Sequence, residues 1–336
     1  VVMPASRNNP LPLVGPVTYY LPVRNGRPST DALDGELRLI VQAELRAVRG
    51  EFAGMDRFYA AIRKNGRNFL TAAGVALIGA VGADDPRLFD EVLADIAAFP
   101  SRYGTPEAEL AAEIVMTWLN GFLRAGVKRP PWLDRIDLMS VPGEWRRQVG
   151  YLFVCRLMRQ GESRAAEVLA DALLGLDPAR ECKASAADIH LKLMRADICR
   201  EEARMEDAAR WYGAVVESAK VRGIVLPFLG TAMGPKSTLE RVLGEGAPEL
   251  LVKVKKLSNG YFRNLVKYHN RYTGDSVTGG LTPREFYIAC HLKRGFRYKE
   301  IAERLEVSQN RLHAMVKTVY ATLNIGSSEE IGNLVW

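Results

Sequence analysis

The chain has 336 residues, of which 48% are hydrophobic and 25% charged, and its formal net charge is +7. This composition excludes long disordered regions outside the ends and linkers, and the length favours two domains or a repeat array over one hydrophobic core. Mild basicity permits nucleic-acid binding without demonstrating it.

The first 30 residues contain six prolines and two glycines. Because proline blocks regular helix, we predict an extended proline-rich arm over residues 1–30. The chain opens on Val1 rather than Met, and we interpret it as part of a longer protein.

Residues 31–258 repeat apolar side chains every three or four positions, which predicts helices. Short breakers divide this region, and they lie at Gly50, Gly82, Gly126 and Gly161. The clearest units are two helical hairpins over 150–174 and 187–219. A single hairpin cannot bury its own apolar face, so we predict that the hairpins stack into a solenoid that resembles tetratricopeptide repeats. A non-repetitive helical bundle is the alternative.

The longest apolar run, residues 69–83, is shorter than the roughly 20 residues that cross a bilayer, and it predicts a buried helix. No signal sequence opens the chain, so we expect a cytoplasmic protein with no membrane partner. The cysteines form no CxxC pair, and we predict free, mostly buried thiols and neither metal nor cofactor. They are Cys155, Cys182, Cys199 and Cys290.

Residues 252–271 contain six Lys or Arg and no acid. Such a run could approach phosphates, but a solvated helix face is the more common reason for it, and we favour that interpretation. Glycines at 274, 279 and 280 follow it. We therefore predict a basic linker over 259–280 that joins a helical-repeat sensor or assembly domain over 31–258 to a final domain over 281–336.

The final segment begins with a helix-start pattern, in which Thr282 and Glu285 can cap each other's backbone amides and Pro283 suits the first turn. This helix should end at Gly295. We predict a second helix over 298–305, a turn at 307–309, a third helix over 310–323 and a last helix from about Ser327. Two helices joined by a tight turn are typical of a helix-turn-helix within a four-helix domain.

The apolar residues of the third helix lie on one side of it and should face the core; they are Leu312, Val316, Val319 and Leu323. The opposite side would then be free to enter a DNA major groove, which is about as wide as a helix. The candidate DNA-binding residues are Lys299, Ser308, Gln309, Asn310, Arg311, His313, Ala314 and Lys317.

These residues resemble a known family. The final segment resembles the LuxR-type DNA-binding domain at Leu281–Glu285, Gly295, Lys299–Leu305, Val307–Ser308, Tyr320 and Leu323, and Val221–Leu229 resembles the end of the repeat region in MalT-like regulators. The resemblance implies a bacterial transcription regulator that binds double-stranded DNA as a homodimer. The repeat domain would sense a small inducer or a protein partner. No catalytic motif or phosphate-binding loop is present, so we do not expect an enzyme.

The chain departs from the family on the third helix, where Arg311, His313 and Met315 replace the usual Thr, Lys and His, and only Lys317 keeps the expected type. On the first helix, Ala289 and His291 lie where the family has leucine. The net charge of 281–336 is only +2. Three hypotheses stay open: a different operator, weak binding that depends on assembly, or an interaction scaffold whose last domain no longer binds DNA.

Overall fold

The computed structural model describes residues 23–24, 27–28, 35–63, 69–123, 143–175, 186–220, 223–229, 237–274, 281–293 and 295–333. Over these ranges the fold is all-α, as predicted, apart from two antiparallel two-residue strands, β1 (Val23–Arg24) and β2 (Arg27–Pro28). The rest of the predicted arm lies outside the described residues.

The helices follow one another with short connections. The first five are α1 (Gly35–Val48), α2 (Met55–Ile62), α3 (Phe69–Ala83), α4 (Pro86–Tyr103) and α5 (Pro106–Phe122). The next seven are α6 (Gly143–Arg159), α7 (Ser163–Gly175), α8 (Ala186–Glu201), α9 (Met205–Lys220), α10 (Leu226–Leu229), α11 (Thr238–Gly246) and α12 (Pro248–Thr273). The last are α13 (Pro283–Lys293), α14 (Tyr298–Arg304), α15 (Gln309–Leu323) and a 3₁₀ helix (Ser328–Asn333). We call α1–α12 the array.

The predicted buried helix over 69–83 is confirmed as α3, which contacts α1, α2, α4, α5 and α12. Its glycines permit close packing, because a Cβ on Gly79 would lie 2.2 Å from Cγ of Met55, and one on Gly82 would lie 2.2 Å from Cγ of Phe52. Gly82 was expected to be a helix breaker but lies inside α3, where contact with Phe52 requires a residue without a side chain.

The two predicted helical hairpins are present as α6 with α7 and α8 with α9. Gly161, at φ +77°, ends the first helix of the first hairpin. Where α6 and α7 cross, a Cβ on Gly150 would lie 2.5 Å from Cδ2 of Leu173. The buried small residues Ala166 and Ala170 belong to the same contact. The predicted breaker at Gly126 lies outside the described residues.

The predicted boundary between array and linker at 258–259 falls inside α12, which runs without interruption to Thr273. Apolar residues keep their helical spacing through the basic run, and they are buried: Tyr261, Phe262, Leu265, Val266 and Tyr268. The linker prediction is therefore corrected for 259–273, which is helix, whereas 275–280 lie outside the described residues.

The basic run on α12 forms an exposed helix face, as we favoured, and acids of other helices pair with it. Lys267 lies 2.7 Å from Asp84, Arg271 pairs with Asp90, and Lys255 with Glu240. Asp84 and Asp90 are about 180 positions earlier in the chain. A solenoid in which each repeat touches only its neighbours has no such contacts, so the array closes back on itself along α12.

None of the described helices is long and apolar enough to cross a membrane. Three cysteines in the described ranges are free thiols, and Cys199 alone among them is fully buried, whereas Cys155 and Cys290 are half-buried. The expectation of mostly buried thiols is therefore corrected for these two. Cys182 lies outside the described residues.

Candidate nucleic-acid interface

The first helix of the final segment, α13, begins with the predicted reciprocal cap. The backbone N–H of Thr282 donates to Glu285 Oε2 at 2.8 Å, and the N–H of Glu285 donates to Thr282 Oγ1 at 3.3 Å. Gly295 follows the helix at φ +77°. The sequence pattern therefore located the start and end of α13 through local chemistry alone.

The second helix, α14, also begins with a carboxylate on a backbone amide, since the N–H of Arg297 donates to Glu300 at 2.7 Å. Ile301, Ala302 and Leu305 are buried beneath it. The chain then turns at Glu306, which has φ 54°, into α15.

The third helix, α15, is capped by Ser308, whose hydroxyl accepts from the N–H of Arg311 at 3.3 Å. Its inward side is the predicted one and is nowhere more than 5% exposed: Leu312, Val316, Val319 and Leu323. The predicted last helix from Ser327 is a short 3₁₀ helix, in which Ile331 is buried.

All eight candidate DNA-binding residues are exposed. Seven of them occupy the cap and first half of α15, and Lys299 lies in the first turn of α14: Lys299, Ser308, Gln309, Asn310, Arg311, His313, Ala314 and Lys317. The rings of His313 and Tyr298 meet edge-to-face at 4.8 Å. This contact, which sequence reasoning missed, joins the outer surfaces of α14 and α15, and the 15-residue spacing carried no signal for it.

The outer side of α15 is positive, because the helix contains Arg311 and Lys317 and no acid. In the part of the chain that the structure describes, neither Arg311 nor Lys317 has an ion-pair partner. Acids on the neighbouring elements are occupied elsewhere: Glu285 and Glu300 bind the amides named above, and Glu330 accepts from Gly326 at 3.1 Å. The face therefore keeps its positive charge despite the small net charge of the segment.

Arg284 is a second residue whose position the sequence did not reveal. It is 9% exposed, and its guanidinium donates to the carbonyl of Leu305 at 3.1 Å, which ties α13 to the end of α14. Burial lowers the pKa of Arg284, and the nearby charge of Arg311 lowers it further, against the raising effect of Glu240 and Glu306. Arg284 is thus a core support rather than a surface cation.

The two departures from leucine on α13 fill the core. Ala289 is 0% exposed and His291 is 5% exposed. The Nδ1 atom of His291 lies 3.0 Å from the carbonyl oxygen of Tyr287, and its ring lies 5.0 Å from that of Phe296. The replacements therefore preserve a packed interior beneath α15.

The outer face of α15 has the shape and charge of a groove-binding helix: a rigid support, small side chains at its centre and basic groups beside them. Comparison with family models, with curated proteins and with solved structures finds no match.

Proposed function

We propose that the protein is a bacterial transcription regulator, in which α14 and α15 form a helix-turn-helix and α15 enters the major groove of DNA. The observation that carries this proposal is the division of α15 into two sides. Leu312, Val316 and Val319 are buried, whereas Arg311 and Lys317 are exposed on a side without acids.

The exposed residues suit different parts of a duplex. Arg311 and Asn310, near the start of α15, have the planar donor groups that read base edges, with guanine the usual partner of arginine and adenine that of asparagine. Lys317 and Lys299 are suited to phosphates, which fix the register of a protein on DNA. Ala314 lies between them, and its small side chain permits the helix to approach the bases.

The resemblance to LuxR-type domains supports the same function, and it rests on the residues named above because no family model matches the chain. We further propose that the hairpins of the array are tetratricopeptide-like and bind a small inducer or a protein partner. A homodimer on DNA, acting in the cytoplasm where bacterial DNA lies, completes the proposal.

Selection of duplexes from a random pool by the full chain tests this function. We expect one motif to be enriched, with two-fold symmetry if a dimer binds, and we expect Arg311→Ala to relax the preference at one or two base pairs in each half-site. Each lost base contact should reduce discrimination by about 1–3 kcal/mol. A pool that stays random would contradict the proposal.

An interaction scaffold is the second candidate, and the net charge of +2 over 281–336 is the observation that favours it. A scaffold would recover no motif and would show no preference for duplex over heparin at equal charge. Enrichment of a motif that Arg311→Ala alters would exclude it.

A further inference from the structure

The final three helices do not project freely from the array. Helix α13 contacts α12, where the rings of Phe286 and Phe262 lie 5.3 Å apart at a tilt of 56°. Two polar contacts from other array helices meet the end of α14 and the turn that follows it. The apolar contact holds α13 in place, and the polar ones act on the helix pair proposed to bind DNA.

The first polar contact comes from α8. The guanidinium of Arg200, whose side chain is 14% exposed, donates to the backbone carbonyl of Arg304 at the end of α14. Asp197 lies 3.6 Å from Arg200 and accepts from the hydroxyl of Tyr212 at 2.7 Å. Tyr287 of α13 is another hydrogen-bond partner of Arg200. The array thus supplies a nearly buried cation to carbonyls that a helix end leaves unpaired.

The second polar contact comes from the turn itself. Glu306 accepts hydrogen bonds from the backbone N–H of Thr238 at 3.0 Å and from its hydroxyl at 2.9 Å. Thr238 is the first residue of α11 and is only 7% exposed. A carboxylate at that place binds an otherwise unpaired amide and interacts favourably with the helix dipole.

The backbone of Glu306 supports a specific role for its side chain. Its φ of 54° is in the left-handed region, which glycine adopts freely and which other residues adopt at a cost. Glycine would suit the turn better if only the turn mattered. The carboxylate that bridges to Thr238 gives a reason for glutamate, since that bridge is lost with glycine.

The contacts do not cover the proposed DNA-binding side of α15, because Asn310, Arg311, Ala314 and Lys317 are all exposed while the contacts are made. The contacts can therefore set the direction of α15 without blocking it. We propose that Arg200 and Glu306 are positioning residues, which form an array–turn dock with Arg304 and Thr238 and thereby fix α15 relative to the array. Its consequence for DNA rests on the proposed function.

Hydrogen–deuterium exchange of the full chain, without DNA, tests the dock. Glu306→Gly removes the carboxylate and relieves the turn, so the helix pair should remain folded. We expect several-fold faster exchange over 237–241, with an intermediate rate for Glu306→Gln, which keeps one acceptor oxygen. Thr238→Val should raise exchange in the natural chain and add nothing after Glu306→Gly. Glu303→Ala, which removes an exposed carboxylate one turn earlier, is the matched control.

Exchange in Glu306→Gly that equals the natural chain, or an equal rise in Glu303→Ala, would overturn the dock. Duplex affinity then tests its consequence: we expect Glu306→Gly to weaken binding about fivefold or more, with partial recovery in Glu306→Gln. Faster exchange with unchanged affinity would overturn the positioning role. If the natural chain binds no duplex, the proposed function fails, and the exchange data still decide the dock.

Discussion

Glu167 of α7 shows how strongly one side chain can be held inside the array. It is 4% exposed and accepts from three guanidinium groups, with Arg195 at 2.6 Å, Arg164 at 2.7 Å and Arg204 at 2.8 Å. Burial alone would raise the pKa of Glu167, but the arginines lower it from 4.5 to about 2. These contacts connect α7, α8 and the start of α9.

A lowered pKa in the folded state stabilises the protein above the unfolded value, and this contribution is lost as the pH falls from 4.5 to about 2. We expect Glu167→Gln to reduce the free energy of unfolding at neutral pH by about 3 kcal/mol. Its stability should also decline less steeply over that acidic range. Denaturant titrations at a series of pH values measure both effects. The exposed Glu202→Gln is the control, and an equal loss there would contradict this role of Glu167.

At the scale of the element, the start of α15 joins stability to the proposed function through Ser308. Ser308→Ala should destabilise the helix by about 1 kcal/mol, because the amide of Arg311 loses its acceptor. Ser308→Asp keeps an acceptor but places a negative charge where phosphate would approach. We expect the Asp variant to melt like the natural chain and to bind duplex more weakly than the Ala variant. Equal duplex affinity in the two variants would show that Ser308 serves only as a cap.

Helix α3 depends on glycine for close packing, and α9 does not. Gly79→Ala should destabilise the protein by about 1–3 kcal/mol, because the new methyl group overlaps the buried side chain of Met55. Gly213 of α9 has nothing within 4 Å of a built Cβ. Gly213→Ala should therefore stabilise by about 0.5–1 kcal/mol through a lower backbone entropy of the unfolded chain. Thermal melts of both variants test the contrast, and a stabilising Gly79→Ala would contradict the packing.

What the sequence predicted at this scale was local. The cap formed by Thr282 and Glu285 needs residues three positions apart, so the pattern alone located α13. The inward side of α15 followed from periodicity in the same way. The bond between Glu306 and Thr238 spans 68 positions, and no local pattern carries information on such a pair.

The same limit applies to the whole molecule. A run of lysines and arginines on α12 correctly predicted a solvated face, but the acids that pair with it, Asp84 and Asp90, come from α3 and α4 far earlier in the chain. Because charge counts say nothing about long-range pairing, the predicted linker turned out to be the helix that closes the array. The function depends on the opposite case, in which Arg311 and Lys317 stay unpaired on the described surface.

The salt dependence of duplex binding by the full chain tests that claim most directly. The account predicts that the logarithm of the binding constant falls linearly with the logarithm of salt concentration, and that Lys317→Ala makes the slope shallower by about one unit. Lys256→Ala, which removes an exposed lysine from α12, should leave the slope unchanged. A binding constant that does not respond to salt, or an equal effect of the two lysine variants, would contradict the account.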